Sequence, residues 1–135
     1  MSVHYNVISR RNPKDPTAPD KYYGIVKSLD TYSLHQLAER ISDESTLSEA
    51  DIYATLAAFL KVVPKILNEG FIVDLGEFGA FRTSISTEGV EVESDFNVAN
   101  IKKGKIIFAP GMLLKDAIRN FKYVKNEPVE TAATT

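Results

Sequence analysis

The residues of this chain best suited to chemistry are charged rather than nucleophilic. Between Lys102 and Lys125 stand Lys102, Lys103, Lys105, Lys115, Arg119, Lys122 and Lys125 against Asp116 alone. From Phe71 to Ile101 the single base Arg82 faces Asp74, Glu77, Glu88, Glu91, Glu93 and Asp95. Clustered ammonium and guanidinium groups neutralise phosphates, and clustered carboxylates repel them. One segment is therefore suited to a polyanion and its neighbour is not. The net charge of -2, taken alone, argues against a nucleic-acid partner, so the distribution says more than the sum.

Other chemistries find little material. His4 and His35 are far apart and in no metal-binding spacing, which reads as two surface or partly packed histidines. The sequence contains no cysteine, which excludes disulfide scaffolds and thiolate metal or redox sites. "GEFG", Gly76 to Gly79, has neither the length nor the following helix of a phosphate-cradling loop. The acids from Glu88 to Asp95 lack calcium-loop spacing and read as a solvated, repulsive segment. The tyrosines read as packing residues whose hydroxyls reach water. No enzymatic activity, cofactor, metal or small-molecule substrate is expected.

At 135 residues, 44% apolar and 25% charged, the composition fits one soluble globular domain with a single core. The N-terminus "MSVHYNVISRR" places its charges after a short mixed segment, the reverse of a secretory signal, and no apolar run approaches the roughly 18 residues of a membrane span. A cytoplasmic location is expected.

The elements that must position the charges follow from spacing. Residues 3–9 and 21–28 are rich in β-branched and aromatic types and flank "RRNPKDPTAPD", whose prolines break regular structure, so a long-looped strand pair is predicted. Ser33 with Gln36 forms a capping box ahead of Leu34, Leu37, Ala38 and Ile41 at helical spacing. Ser48 with Asp51 begins a longer helix whose broad apolar face carries Ile52, Leu56, Phe59, Leu60, Val63 and Leu67, with Gly70 as its stop. Pro64 inside it is expected to kink the helix rather than end it. "FIVDL", "AFRTSIS" and "KIIFA" read as strands, "TEGVEVESDFNVANIKKG", Thr87 to Gly104, as a flexible arm, and "PGMLLKDAIRNF" as a last helix. The order is α+β.

Two blocks carry a resemblance. "LGEFGAF", Leu75 to Phe81, resembles the Phe-Gly-small-Phe signature of the histone-like HU/IHF family of DNA-binding proteins, and "FAPGMLLKDAIR", Phe108 to Arg119, is similar to that family's closing block. The spacing between the blocks and the helix pair before them also agree, so the likeness covers roughly residues 31 to 122. It implies an intertwined homodimer whose two β-arms reach around DNA. Within that fold Gly79 turns the strand over the helices, Gly76 relieves the turn before it, and Phe78 and Phe81 plug the dimer core. Domain boundaries then fall at 1–30 for an added β-hairpin, 31–125 for the HU-like domain and 126–135 for a disordered tail.

The departures are as informative as the matches. The family's arm tip carries a proline that wedges between base steps, and this chain has no proline from Thr83 to Ile101. Met112 and Ala109 replace cations common in relatives. "RRNP", Arg10 to Pro13, instead lies in the added N-terminal loop, where it reads either as a phosphate-binding loop of Arg10, Arg11 and Lys14 or as a solvated loop protecting a sheet edge. The reading is a non-enzymatic, nucleoid-associated architectural protein binding duplex DNA weakly and without sequence preference as a homodimer. The phosphate contacts expected in this fold are Arg82, Lys102, Lys103, Lys105 and the backbone amides around Gly111. The alternative is an interaction module that keeps the fold and has lost DNA binding.

Overall fold

A computed structural model describes residues 1–127. These residues form three helices and two three-stranded sheets, divided into two compact units: Met1–Tyr32 with the segment from Asn120 onward, and Ser33–Arg119.

In the first unit, strand β1 (Val3–Arg10) pairs antiparallel with β2 (Lys21–Lys27) from His4 opposite Lys27 to Arg10 opposite Lys21. The expected strand pair is present, but its third partner was not foreseen. The strand Tyr123–Lys125, numbered β6 below in chain order, lies parallel to β1, with Val3 opposite Tyr123. Backbone bonds from Val3 to the Lys122 carbonyl (2.7 Å) and from Asn126 to the Tyr5 carbonyl (2.8 Å) extend this ladder. The N-terminal strands and β6 make a sheet of their own, order β2-β1-β6. An isolated hairpin is marginal in water, and the third strand supplies the missing ladder. Tyr123–Lys125 sits with the N-terminal sheet. Of the tail expected to be disordered, residues 128–135 lie outside the described residues.

In the second unit, α1 (Leu34–Asp43) starts on the Ser33–Gln36 capping box, with both reciprocal bonds formed. Helix α2 (Glu49–Asn68) starts on Ser48, whose hydroxyl accepts the Asp51 amide, and continues through Pro64. Its end is a Schellman motif: Gly70 donates to the Leu67 carbonyl and Phe71 to that of Ile66. Ala38, Ile52 and Leu67 are the buried residues of the helix pair, and His35 stacks on Tyr53 with ring centroids 4.1 Å apart.

The second sheet has the order β3-β4-β5, from β3 (Val73–Asp74), β4 (Gly79–Thr87) and β5 (Ile101–Pro110), all antiparallel. "FIVDL" contributes only two paired residues because a short 3-10 turn, Gly76–Phe78, intervenes. At the turn's exit Gly79 has φ 145°, and a Cβ there would sit 2.5 Å from the Ala109 carbonyl oxygen and 2.8 Å from the Phe108 ring. Gly111 lies against the Glu77 backbone so closely that a Cβ has no room. Bare backbone at these two points lets strand, turn and the start of α3 (Met112–Arg119) pack together, while Phe78 and Phe81 close on Phe108 at 5.7 and 4.8 Å.

The single chain covers little of its apolar surface. Leu60 is 56% exposed, Ile85 54% and Ile106 60%.

Candidate nucleic-acid interface

The register of β4 and β5 decides which cations share a face. Side chains of directly opposed residues lie on one side of a sheet, and successive residues alternate. Arg82 is opposite Ile107, Ser84 opposite Lys105 and Ser86 opposite Lys103. Arg82, Ser84, Ser86, Lys103 and Lys105 therefore lie on one face, and Phe81, Thr83, Ile85, Ile106 and Phe108 on the other. Arg82, Lys103 and Lys105 are exposed, and none is in an ion pair among the described residues. The result is a strand-borne row of cations with two hydroxyls set between them. Such a row can neutralise phosphates while the hydroxyls donate to phosphate oxygens.

Lys102 does not join this row. The register slips between Ser86 and Thr87, whose partners are Lys103 and Ile101, so Lys102 is skipped. Its ammonium is 3.2 Å from the Glu88 carboxylate. The acidic segment thus begins by occupying one of the cations expected to meet DNA.

Residues 88–100 are not an extended ribbon. Two short 3-10 turns, Glu93–Asp95 and Val98–Asn100, fold them, the second capped reciprocally by Asn97 and Asn100. The Glu88 amide donates to the Asn100 carbonyl at 2.8 Å, which closes the segment where the strand pairing ends.

The Gly111 amide is not open to a ligand, contrary to expectation. It donates to the Phe78 carbonyl at 2.9 Å, because the close approach that requires glycine also aims this N–H at the preceding turn. On α3, Arg119 pairs with Asp116 at 3.4 Å. Lys115 is on the same helix, whereas Lys122 and Lys125 belong to the N-terminal unit.

Arg10, Arg11 and Lys14 lie at the turn end of β1 and β2, in the other compact unit. Arg10 is 5.8 Å from the Tyr23 ring centroid, and Arg11 Nε is 4.0 Å from Asp20 Oδ1. Lys21 and Tyr23 join Arg10 and Arg11 around one cleft. Sequence reasoning missed both, although the cross-strand pairs Arg10–Lys21 and Ile8–Tyr23 follow once the hairpin register is fixed. It also missed Ser84 and Ser86, which strict alternation from Arg82 would have placed. Asp15 beside this cleft is held below the ordinary carboxylate range, chiefly by the hydrogen bond from the Thr17 hydroxyl. No group of three or more His, Cys, Asp or Glu residues able to hold a metal occurs among the described residues. No helix among them is long and apolar enough to cross a membrane.

The helix pair, the glycine-braced turn and the hairpin leading into a short helix make up a mixed α+β unit. The chain belongs to the HU-HIG family, described as an HU domain fused to wHTH, Ig or glycine-rich motif, whose profile matches residues 1–125. No curated protein matches it by sequence. Among solved structures it is similar to a chain from Bacteroides vulgatus ATCC 8482 named as a putative bacterial DNA binding protein. The TM-score is 0.64 at 11% identity, over 95% of this chain and 50% of that one. The chain thus spans about half the length of that structure.

Proposed function

We propose that this chain is a non-enzymatic duplex-DNA-binding protein of the HU type, acting as a homodimer in the nucleoid and reading the phosphate backbone without sequence preference. The observation that carries the reading is the shared face of Arg82, Lys103 and Lys105, with Ser84 and Ser86 between them. The family match and the name of the Bacteroides vulgatus neighbour support it.

The opposite face supports dimerisation. Ile85 and Ile106 are exposed there, Leu60 is exposed on α2, and an open groove of about 650 Å³ is lined by Pro64, Leu67, Asn68, Gly70, Thr83 and Ile106, with Gly104 and Lys105 at the sheet. Each large apolar side chain left in water forgoes roughly 1.5–3 kcal/mol, so a second copy is the natural cover. A monomer by light scattering at micromolar concentration, with a melting temperature independent of concentration, refutes the dimer.

Because Lys102 is held by Glu88 and the arm has neither wedge nor free cations, binding is weak and bending slight. The same ion pair favours the second reading, an HU-fold interaction module without DNA. Fluorescence anisotropy of a labelled duplex across a salt series separates them: a steep negative slope of log K against log salt supports DNA binding, and no response at low salt removes it.

A further inference from the structure

The loop joining β1 to β2 is folded by its own side chains. Asn12 Oδ1 accepts the Lys14 amide at 3.0 Å, and Asp15 Oδ1 accepts the Thr17 amide at 3.1 Å and its hydroxyl at 2.6 Å. Backbone turns from Asp15 to Asn12 and from Ala18 to Asp15 complete it. This order keeps open a cleft of about 460 Å³ between the two sides of the hairpin end, with Arg10, Arg11 and Pro13 on one side and Pro19, Lys21 and Tyr23 on the other.

The cleft's charge is cationic and largely uncommitted. Arg10 leans over the Tyr23 ring, which fixes the guanidinium without neutralising it. Asp20 faces Arg11 Nε at 4.0 Å, with side chains 73% and 48% exposed, a pair too long and too wet to cancel the charge. The other Asp20 oxygen accepts the Ser9 hydroxyl at 3.2 Å. Lys21 is in no ion pair among the described residues. Lys14 stands on the loop but does not line the cleft.

We infer that this hairpin end is a second DNA-backbone site, in which Arg10, Arg11 and Lys21 take phosphodiester oxygens and Tyr23 packs against the sugar. Two planar guanidiniums and an ammonium lining one cleft with an aromatic ring offer the charged donors that phosphodiester oxygens accept. The inference rests on the DNA-binding reading above and adds a site that the arm-wrapping scheme lacks.

The test uses the full chain with Arg10, Arg11 and Lys21 replaced together by Ala, titrated with a labelled duplex across a salt series. The slope of log K against log salt is expected to become shallower by up to about 0.9 for each phosphate no longer neutralised. Wild-type affinity and slope in that variant overturn the site. Because the substitutions touch strand ends, the wild-type protein is also followed by NMR: the Arg10 and Arg11 side-chain N–H and Tyr23 ring signals are expected to shift as duplex is added. No shift at saturating duplex, or a shift with acidic peptide and none with duplex, overturns it. Loss of binding on replacing Arg82, Lys103 and Lys105 but not the hairpin cations leaves the proposed function standing and removes only this site. A wild-type protein that ignores duplex at low salt removes both.

Discussion

The chain carries cations on two antiparallel hairpins, and it arranges them differently. On β4 and β5 they are spread along a strand face, spaced by the pleat and fixed by the backbone ladder. On β1 and β2 they crowd the turn end, where their positions depend on Asn12, Asp15 and Thr17 holding a long loop in shape. A row set by the ladder survives most single side-chain changes. A cluster set by a loop is only as firm as that loop's few polar bonds.

The sharpest contrast lies in the glycines of the two hairpins. Gly79→Val places a branched side chain where even a Cβ meets the Ala109 carbonyl at 2.5 Å, on a backbone at φ 145°. A destabilisation of about 3 kcal/mol or more is expected in urea denaturation. At Gly24 a Cβ meets only Tyr5 Cδ2 at 3.7 Å, so Gly24→Ala is expected to change stability by less than about 1 kcal/mol. Equal costs would break the comparison.

Next in size is the joint replacement of Arg82, Lys103 and Lys105 by Ala, which is expected to shallow the salt slope by up to about 0.9 for each phosphate these cations neutralise. An unchanged slope would move the interface off the strand face.

Smaller differences sharpen the row itself. Lys102→Ala is expected to weaken duplex binding less than Lys103→Ala, because Lys102 already faces Glu88. Glu88→Gln frees that ammonium and is expected to tighten binding by an amount in the range of a surface ion pair, about 0.2–1 kcal/mol by anisotropy. Deleting Glu88 to Asp95 should likewise leave binding intact or strengthen it; abolished binding would mean that the segment inserts into DNA after all.

Much of this was legible in the sequence where the signal is local. The capping box at Ser33 and Gln36 and the cap at Ser48 fixed where both N-terminal helices of the second unit start, because the side chains that satisfy the first amides sit within one turn. The interleaved Phe and Gly of "LGEFGAF" marked a turn at Gly79, and that residue takes φ 145° at the exit of the 3-10 turn. What escaped was non-local or dependent on register. Tyr123–Lys125 has no strand pattern of its own and becomes a strand only because β1 offers an open edge. The skipped Lys102 could not be told from Lys103, since one slipped residue reverses which face a side chain takes. The Gly111 amide was read as available because its glycine was legible and its acceptor, the Phe78 carbonyl, was not.

The pairing of Tyr123–Lys125 with β1 also has a mechanical meaning. Force applied at Val3 and at Lys125 is taken up first by the parallel β1–β6 ladder, whose hydrogen bonds are loaded together in shear rather than unzipped in turn. Everything from Ser33 to Arg119 lies between these two strands in sequence, so the clasp closes it into a loop. Closing a loop removes conformations from the unfolded segment, so while the clasp holds the bracketed segment is stabilised without any contact of its own. Opening the clasp, by a proline at His4 or Val124, would slacken the bracketed segment and route tension directly into it.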